Sequence, residues 1–305
     1  MKVILFGASK AGENYISNHP NIEVLAFADN DSAKHGSSFM GYPVIAPADI
    51  SSYVIDNIII TSQWIDQIHS QLTNDLCIPK AKVIVPSKQA VKAALPFEDK
   101  RTLSFAQTLL RTLNRFCQTR DIVFCLDSGT LLGAVRDKGL IAWDDDIDLA
   151  VDKTNFAKLQ SALPELSKVL TEQFDVDWNI VIINVNGIDS CINLEFANSS
   201  TSAYVQFDIS IQCRESLEGY SELLSSGGLF FAPAKHFDNY EPITFLDETF
   251  LAPFDKEGFL TFMYGAWETP KKTTQITEYE NRRASMPSPK GGIKIQKRTI
   301  TAKGI

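Results

Sequence analysis

The sequence lacks any apolar run near the ~20 residues that cross a bilayer. Its opening, Met1-Lys2-Val3-Ile4-Leu5-Phe6-Gly7, reaches glycine too soon for the apolar centre of a secretory signal. Cysteine is scarce: five in 305 residues (Cys77, Cys117, Cys125, Cys191 and Cys213), an odd number without any Cys-x-x-Cys spacing. That argues against a disulfide framework and a structural zinc site, and the expected location is the cytoplasm. Positive charge is in deficit. A formal net charge of -8 argues against a general nucleic-acid coat. Internal repeats and low-complexity blocks are absent as well.

What is present is an ordinary globular balance, 44% hydrophobic and 22% charged, over a length that suits two domains. The charge is unevenly placed. Residues 271–305 hold nine Lys or Arg against two Glu, which leaves -15 on residues 1–270. Such a basic tail suits a polyanionic acceptor or peripheral contact with an anionic membrane, although a solvated terminus is the plainer expectation.

Residues 1–90 alternate short apolar runs with helical stretches, the pattern of a parallel α/β sheet, and a first domain is expected over residues 1–96. Strands are expected at Val3–Phe6, Val24–Ala28, Asn57–Thr61 and Val83–Val85, with a helix near Gly12–Ser17. Gly7-Ala8-Ser9-Lys10-Ala11-Gly12 follows a strand and opens a helix, the setting of a dinucleotide-binding turn. Gly7, Ser9, Gly12 and Asp29 are therefore candidates to hold NAD or a nucleotide sugar. Ser9 replaces the middle glycine of that pattern, and Gly7 and Gly12 equally suit tight strand–helix packing.

After Leu95–Lys100 the pattern changes. Leu103, Ala106, Leu109, Leu110, Leu113, Phe116 and Cys117 recur at helical spacing, so an amphipathic helix opens a second domain over residues 97–270. Strands are expected at Ile122–Leu126, Ile147–Val151 and Val205–Ile209, and a helix over Phe156–Leu163. Between them lies Trp143-Asp144-Asp145-Asp146-Ile147-Asp148. If the chain is extended from Asp144, period two puts Asp144, Asp146 and Asp148 on one face. Crowded carboxylates repel by about 4 kcal/mol per pair at 4 Å and an effective dielectric near 20. A hard divalent cation removes that repulsion, and Mg²⁺ prefers a few carboxylates plus phosphate oxygens. Asp208, read as lying inside an apolar strand, is a further carboxylate wanting a partner.

Strand, Gly-Thr turn, Asp-x-Asp strand and later strand carboxylate together resemble the nucleotidyltransferase fold. More closely, residues 103–270 are similar to the LicD/fukutin-related phosphotransferase family. The likeness lies in Gly129-Thr130-Leu131-Leu132-Gly133-Ala134-Val135-Arg136, in Ile141-Ala142-Trp143-Asp144-Asp145-Asp146-Ile147-Asp148, and in Tyr264-Gly265-Ala266-Trp267. The family often follows its last aspartate with an aromatic-proline pair and another acid, where this chain has Ile209-Ser210-Ile211-Gln212.

That resemblance implies transfer of a phospho-alcohol from a CDP-linked donor to a glycan acceptor. By position, Asp146 and Asp148 would hold Mg²⁺ or Mn²⁺, with Asp144 beside them and Asp208 as metal ligand or proton acceptor. Ser128, Gly129 and Thr130 would hold donor phosphate oxygens, and Arg136 would neutralise their charge. Residues 1–96 likewise resemble the Rossmann-like modules fused to bacterial surface-polysaccharide enzymes, through Val3–Gly12, Phe27–Asp31, Gly41–Val44 and Asp56–Thr61. The expected architecture is an N-terminal Rossmann-like parallel sheet followed by a nucleotidyltransferase-fold α+β domain with a mixed sheet. Nucleotidylyl transfer, an oxidoreductase and a non-catalytic nucleotide-sugar sensor remain open beside it.

Overall fold

The computed structural model describes residues 1–92, 95–271 and 294–300. Its described residues fall into two units, 1–92 with 271, and 95–270 with 294–300.

In the first unit the strands are β1 (Lys2–Phe6), β2 (Glu23–Ala28), β3 (Ser38–Phe39), β4 (Tyr42–Ile45), β5 (Asn57–Ile60) and β6 (Val83–Ile84), with helices α1 (Lys10–Asn18) and α2 (Ile65–Ser70). Strand order is β3-β4-β2-β1-β5-β6, parallel throughout except for β3. The order reverses at β1, as in a doubly wound sheet. Alternation along β1 explains the layering. Ile4 and Phe6 join Ile65 and Ile68 of α2 in one core, whereas Val3 and Leu5 join Tyr15 of α1 in another. With both faces covered, β1 and β5 are apolar at every central position.

The second unit opens with α3 (Lys100–Gln118). Asp99 caps it, accepting from the Thr102 N–H at 2.8 Å and its hydroxyl at 2.7 Å. Then come β7 (Cys125–Leu126), the short α4 (Ser128–Leu132), β8 (Asp146–Asp152), α5 (Lys153–Gln173), β9 (Val176–Val185), β10 (Ile188–Asn198) and β11 (Asp208–Leu217). After these follow β12 (Tyr220–Leu223), β13 (Phe231–Pro233), the hairpin β14 (Tyr240–Phe245) and β15 (Glu248–Pro253), α6 (Lys256–Tyr264) and β16 (Ile295–Ile300). The mixed sheet runs β7-β8-β11-β10-β9-β16, with β12 and β13 continuing from β11; β8 and β11 are its parallel pair. One face carries Ile147, Leu149, Ile209, Ile211, Ile192 and Leu194 into the core with α3 and α5. The opposite face carries Asp146, Asp148, Ser210, Gln212 and Asn193 and is half-buried.

Several elements depart from expectation. Only Cys125–Leu126 of the expected strand Ile122–Leu126 pairs. Helix α5 does not stop at Leu163 but continues through Pro164 to Gln173, held by buried Leu163, Leu166 and Leu170. Val205–Phe207 lies outside β11. The Val205 N–H donates to the Thr102 hydroxyl at 3.0 Å, and Tyr204 is tied to the Asn198 amide, so neither joins a ladder. Part of the basic tail forms a strand while staying mostly exposed: β16 pairs antiparallel with β9, and Arg298 reaches Asp189 at 2.9 Å. The tail's residues 272–293 and 301–305 lie outside the described residues. Among the described residues, no helix is long and apolar enough to cross a membrane.

Candidate active site

The site is built where β7 gives way to α4. Asp127 is 1% exposed, and its N–H donates to the Asp148 carbonyl at 3.1 Å across the β7–β8 edge. Its Oδ1 accepts from the Ser128 N–H at 2.8 Å, and its carbonyl accepts from Leu131, which starts the helix. Ser128 holds a positive φ of 47°, a strained setting for a residue with a Cβ. Gly129 faces Asp144 so closely that a Cβ there would lie 2.2 Å from Asp144 Oδ2. Thr130 is buried, and its hydroxyl accepts from the Asp148 N–H at 2.9 Å. That bond turns the acceptor side of Thr130 toward the protein.

The acids gather beside this turn, though not in the expected arrangement. Extended chain begins at Asp146, so Asp144 does not share a strand face with Asp146 and Asp148. Its N–H closes a turn onto the Ile141 carbonyl, and its side chain is buried. Asp144, Asp145 and Asp146 each bring a carboxylate oxygen within 4.8 Å of the others. Asp145 was not foreseen, because strict alternation points it away. In the parallel β8–β11 register Asp208 is the partner of Asp146, and Ser210 that of Asp148. Asp208 is thus the exposed first residue of β11 rather than a carboxylate inside an apolar strand. Asp148 Oδ1 accepts from the Ser210 hydroxyl at 2.9 Å, and Ser210 in turn accepts from Gln212. Cys191 lies behind them. Burial, and then the nearby Asp148 charge, push its thiol pKa well up, so it stays neutral.

An all-oxygen set of this kind suits a hard divalent cation such as Mg²⁺ or Mn²⁺ and not a soft one. The fit is one of donor chemistry and spacing.

Arg136 is turned aside. Its fork donates to both carboxylate oxygens of Asp137 at 2.8 Å, Nη1 reaches the Trp267 carbonyl at 3.4 Å, and the guanidinium lies 5.8 Å from the Trp143 ring centre. Trp143 itself packs on the core. Arg214, absent from the sequence reading, is the arginine that joins the turn: its Nε and Nη2 donate to Asp127 Oδ2 at 3.0 and 2.9 Å. The two residues are 87 positions apart, so no local pattern announces the pair. Of the other basic groups near this unit, Lys235 pairs with Asp255. His236 is buried with Nδ1 2.7 Å from the Phe254 carbonyl, and burial lowers its pKa.

In the first unit Gly7, Ser9, Gly12 and Asp29 do come together at the carboxyl ends of β1 and β2, but their groups are engaged. Asp29 Oδ2 accepts from the Ala8 N–H at 3.0 Å and from Lys34 Nζ at 2.9 Å, while Oδ1 accepts from the Asp31 N–H. The Ser9 hydroxyl donates to the Thr61 carbonyl. A Cβ at Gly7 would meet that carbonyl at 2.7 Å, and one at Gly12 would meet the Phe27 ring at 2.7 Å. Packing requires both glycines, and Gly7 is required also by its positive φ of 118°.

Comparison with known proteins follows this division. Residues 121–255 match the LicD/FKTN/FKRP nucleotidyltransferase domain. Residues 1–84 match the C2185-like N-terminal family. An uncharacterized protein of Rickettsia prowazekii is 34% identical over 82 residues, 27% of this chain and 30% of that protein. The lipopolysaccharide cholinephosphotransferase LicD of Haemophilus influenzae is 38% identical over 50 residues, 16% of this chain and 19% of that protein. The chain therefore spans less than a third of the length of either relative. Among solved structures, UDP-D-quinovosamine 4-dehydrogenase from Vibrio fischeri is 23% identical with a TM-score of 0.22, over 28% of this chain and 74% of that one. Biliverdin reductase from Synechocystis sp. PCC 6803 is 10% identical with a TM-score of 0.25, over 91% of this chain and 94% of that one. At such scores the fold rests on the strand order described above.

Proposed function

We propose that the second unit is a transferase that moves a phospho-alcohol from a CDP-linked donor to a glycan of a surface polysaccharide. The observation that carries this reading is the packing of the Asp144 carboxylate on Gly129, with Asp145, Asp146 and the Asp146–Asp208 register beside it. A turn able to meet phosphate and a set of acids able to hold a hard cation thus share one edge. The LicD-type match over residues 121–255 supports the same reaction class.

On this reading Asp144, Asp146 and Asp148 hold Mg²⁺ or Mn²⁺, and Asp145 becomes a fourth candidate by its place in the cluster. The ion, when bound, would neutralise charge on the donor diphosphate. The protein's own part is to orient the reactants. The backbone N–H of Gly129 meets the donor phosphate oxygens, while that of Ser128 stays on Asp127. The acceptor hydroxyl oxygen forms a bond to the distal phosphorus as the bridging P–O bond breaks in line, and CMP leaves with the electron pair. Asp208, exposed at the head of β11, receives the hydroxyl proton. Arg136, its fork committed to Asp137, borders the site through Trp143 and Trp267 rather than binding phosphate from outside it. The first unit is proposed as a fold support whose glycine turn is closed by its own Asp29 and Lys34.

Thermal stability tests the donor class. CDP-choline, CDP-ribitol, CDP-glycerol, CTP and UDP-sugars are each compared with and without Mg²⁺, with Asp146→Ala as control. A ligand at ~100 times its dissociation constant adds about 2.7 kcal/mol. A Mg²⁺-dependent rise with one CDP-alcohol, lost in Asp146→Ala, is the expected result. A rise with a UDP-sugar, or with NAD added to the same panel, independent of Mg²⁺, would move the function to the first unit.

A further inference from the structure

Arg214 is six residues past Asp208 on β11, so period two places it on the same sheet face as Asp146, Asp148 and Asp208. It is 5% exposed. Two of its nitrogens grip one oxygen of Asp127, and the Phe237 ring covers the guanidinium at 4.0 Å. Its third nitrogen, Nη1, is buried with no hydrogen-bond partner among the described residues.

A pair this deeply buried is weak evidence of stabilisation, since apolar residues of similar volume often serve a fold as well. What the pair does hold is a place. Asp127 and Thr130, the two ends of one four-residue turn, clamp the Asp148 peptide from both sides: its carbonyl accepts from Asp127 N–H, and its N–H donates to the Thr130 hydroxyl. The same turn presents Gly129 to Asp144. Asp127 is therefore fixed by Arg214 on one side while it fixes the acids on the other. Released from the guanidinium, its carboxylate would be left buried with the Ser128 N–H as its only remaining described donor.

We propose that Arg214 is a positioning residue, which sets the acidic cluster for its cation by locking Asp127 and the turn that follows. The inference rests on the phosphotransferase reading. It predicts that loss of the arginine loosens the turn and the acids while the rest of the unit keeps its fold.

The test uses the full chain with Arg214→Met, which keeps an apolar stem, Arg214→Lys, which keeps the charge but not the fork, and Asp127→Asn. Mn²⁺ is titrated into each, and amide hydrogen exchange is followed without metal. The expected result is a fall in Mn²⁺ affinity of about 10–100-fold, the usual range for groups that orient metal ligands. Faster exchange should be confined to peptides spanning residues 125–133 and 144–149, with α3 and α5 as protected as before. Arg214→Lys should not restore affinity, because a single ammonium cannot grip Asp127 as the fork does.

Wild-type Mn²⁺ affinity with unchanged exchange at the turn would overturn the inference. Uniformly faster exchange, or collapse of all three variants, would assign the pair to fold support and overturn it equally. If the unaltered protein binds no Mn²⁺, the phosphotransferase reading fails instead, and the exchange pattern still judges Arg214.

Discussion

Gly129→Ala separates the site's geometry from its stability. The added Cβ would lie 2.2 Å from Asp144 Oδ2 and 3.3 Å from its Cγ. To reach ordinary contact the carboxylate must retreat by about 1 Å, a displacement that costs roughly 100-fold in rate when it reaches a reacting centre. Stability responds far less. Gly129 is helical, so alanine gains roughly 1 kcal/mol of backbone preference. Overpacking costs about 1–3 kcal/mol, and the net loss is therefore about 0–2 kcal/mol. The variant should melt within a few degrees of the unaltered protein yet release CMP roughly 100-fold more slowly. Weaker Mn²⁺ binding, measured by titration, should accompany that loss. A variant that melts higher and keeps its turnover would refute the claim that Asp144 must sit where Gly129 admits it.

Three further outcomes can be checked. Gly12→Ala should destabilise the first unit by about 1–3 kcal/mol in denaturant unfolding, because its Cβ would meet the Phe27 ring at 2.7 Å and the Gly7 carbonyl at 2.9 Å. His236 has a lowered pKa from burial, so its neutral form is favoured in the fold; stability is full above the unfolded value near ~6.5 and falls as pH drops through the folded one. His236→Asn should flatten that acid limb, and an unchanged limb would assign it elsewhere. Cys77 is exposed while the other four thiols are buried, and burial pushes Cys117 up to about 12. Iodoacetamide near pH 8 should therefore label Cys77 alone in the folded protein, as read by mass spectrometry.

Legibility followed the range of the forces involved. Strands β1, β2 and β5 were readable because a parallel sheet covered on both faces leaves a continuous apolar run, as in Ile58-Ile59-Ile60. Helix α3 was readable from its buried face, and the acidic run from its apolar flanks. The start of β11 was not, because the hydroxyl that takes the Val205 N–H belongs to Thr102, 103 residues earlier. Nor was the end of α5, where burial of Leu166 and Leu170 outweighs one bond lost at Pro164. At the site, alternation correctly placed Asp146 and Asp148 but failed for Asp144 and Asp145, which sit in a turn closed on Ile141. Asp127 had a weak local signal, an acid directly before a helix start. Arg214 had none, since only the sheet order brings β11 within reach of the residue after β7.

The central claim is that the acids of β8 and β11 serve phospho-alcohol transfer, and CMP release tests it most directly. The protein, a CDP-alcohol, Mg²⁺ and a surface-glycan acceptor are incubated, and nucleotide products are resolved by chromatography. CMP should form in step with acceptor carrying the phospho-alcohol, and both should be lost on chelation and in Asp146→Ala. An intact CDP-alcohol, with pyrophosphate released when CTP takes its place in a parallel incubation, would contradict it.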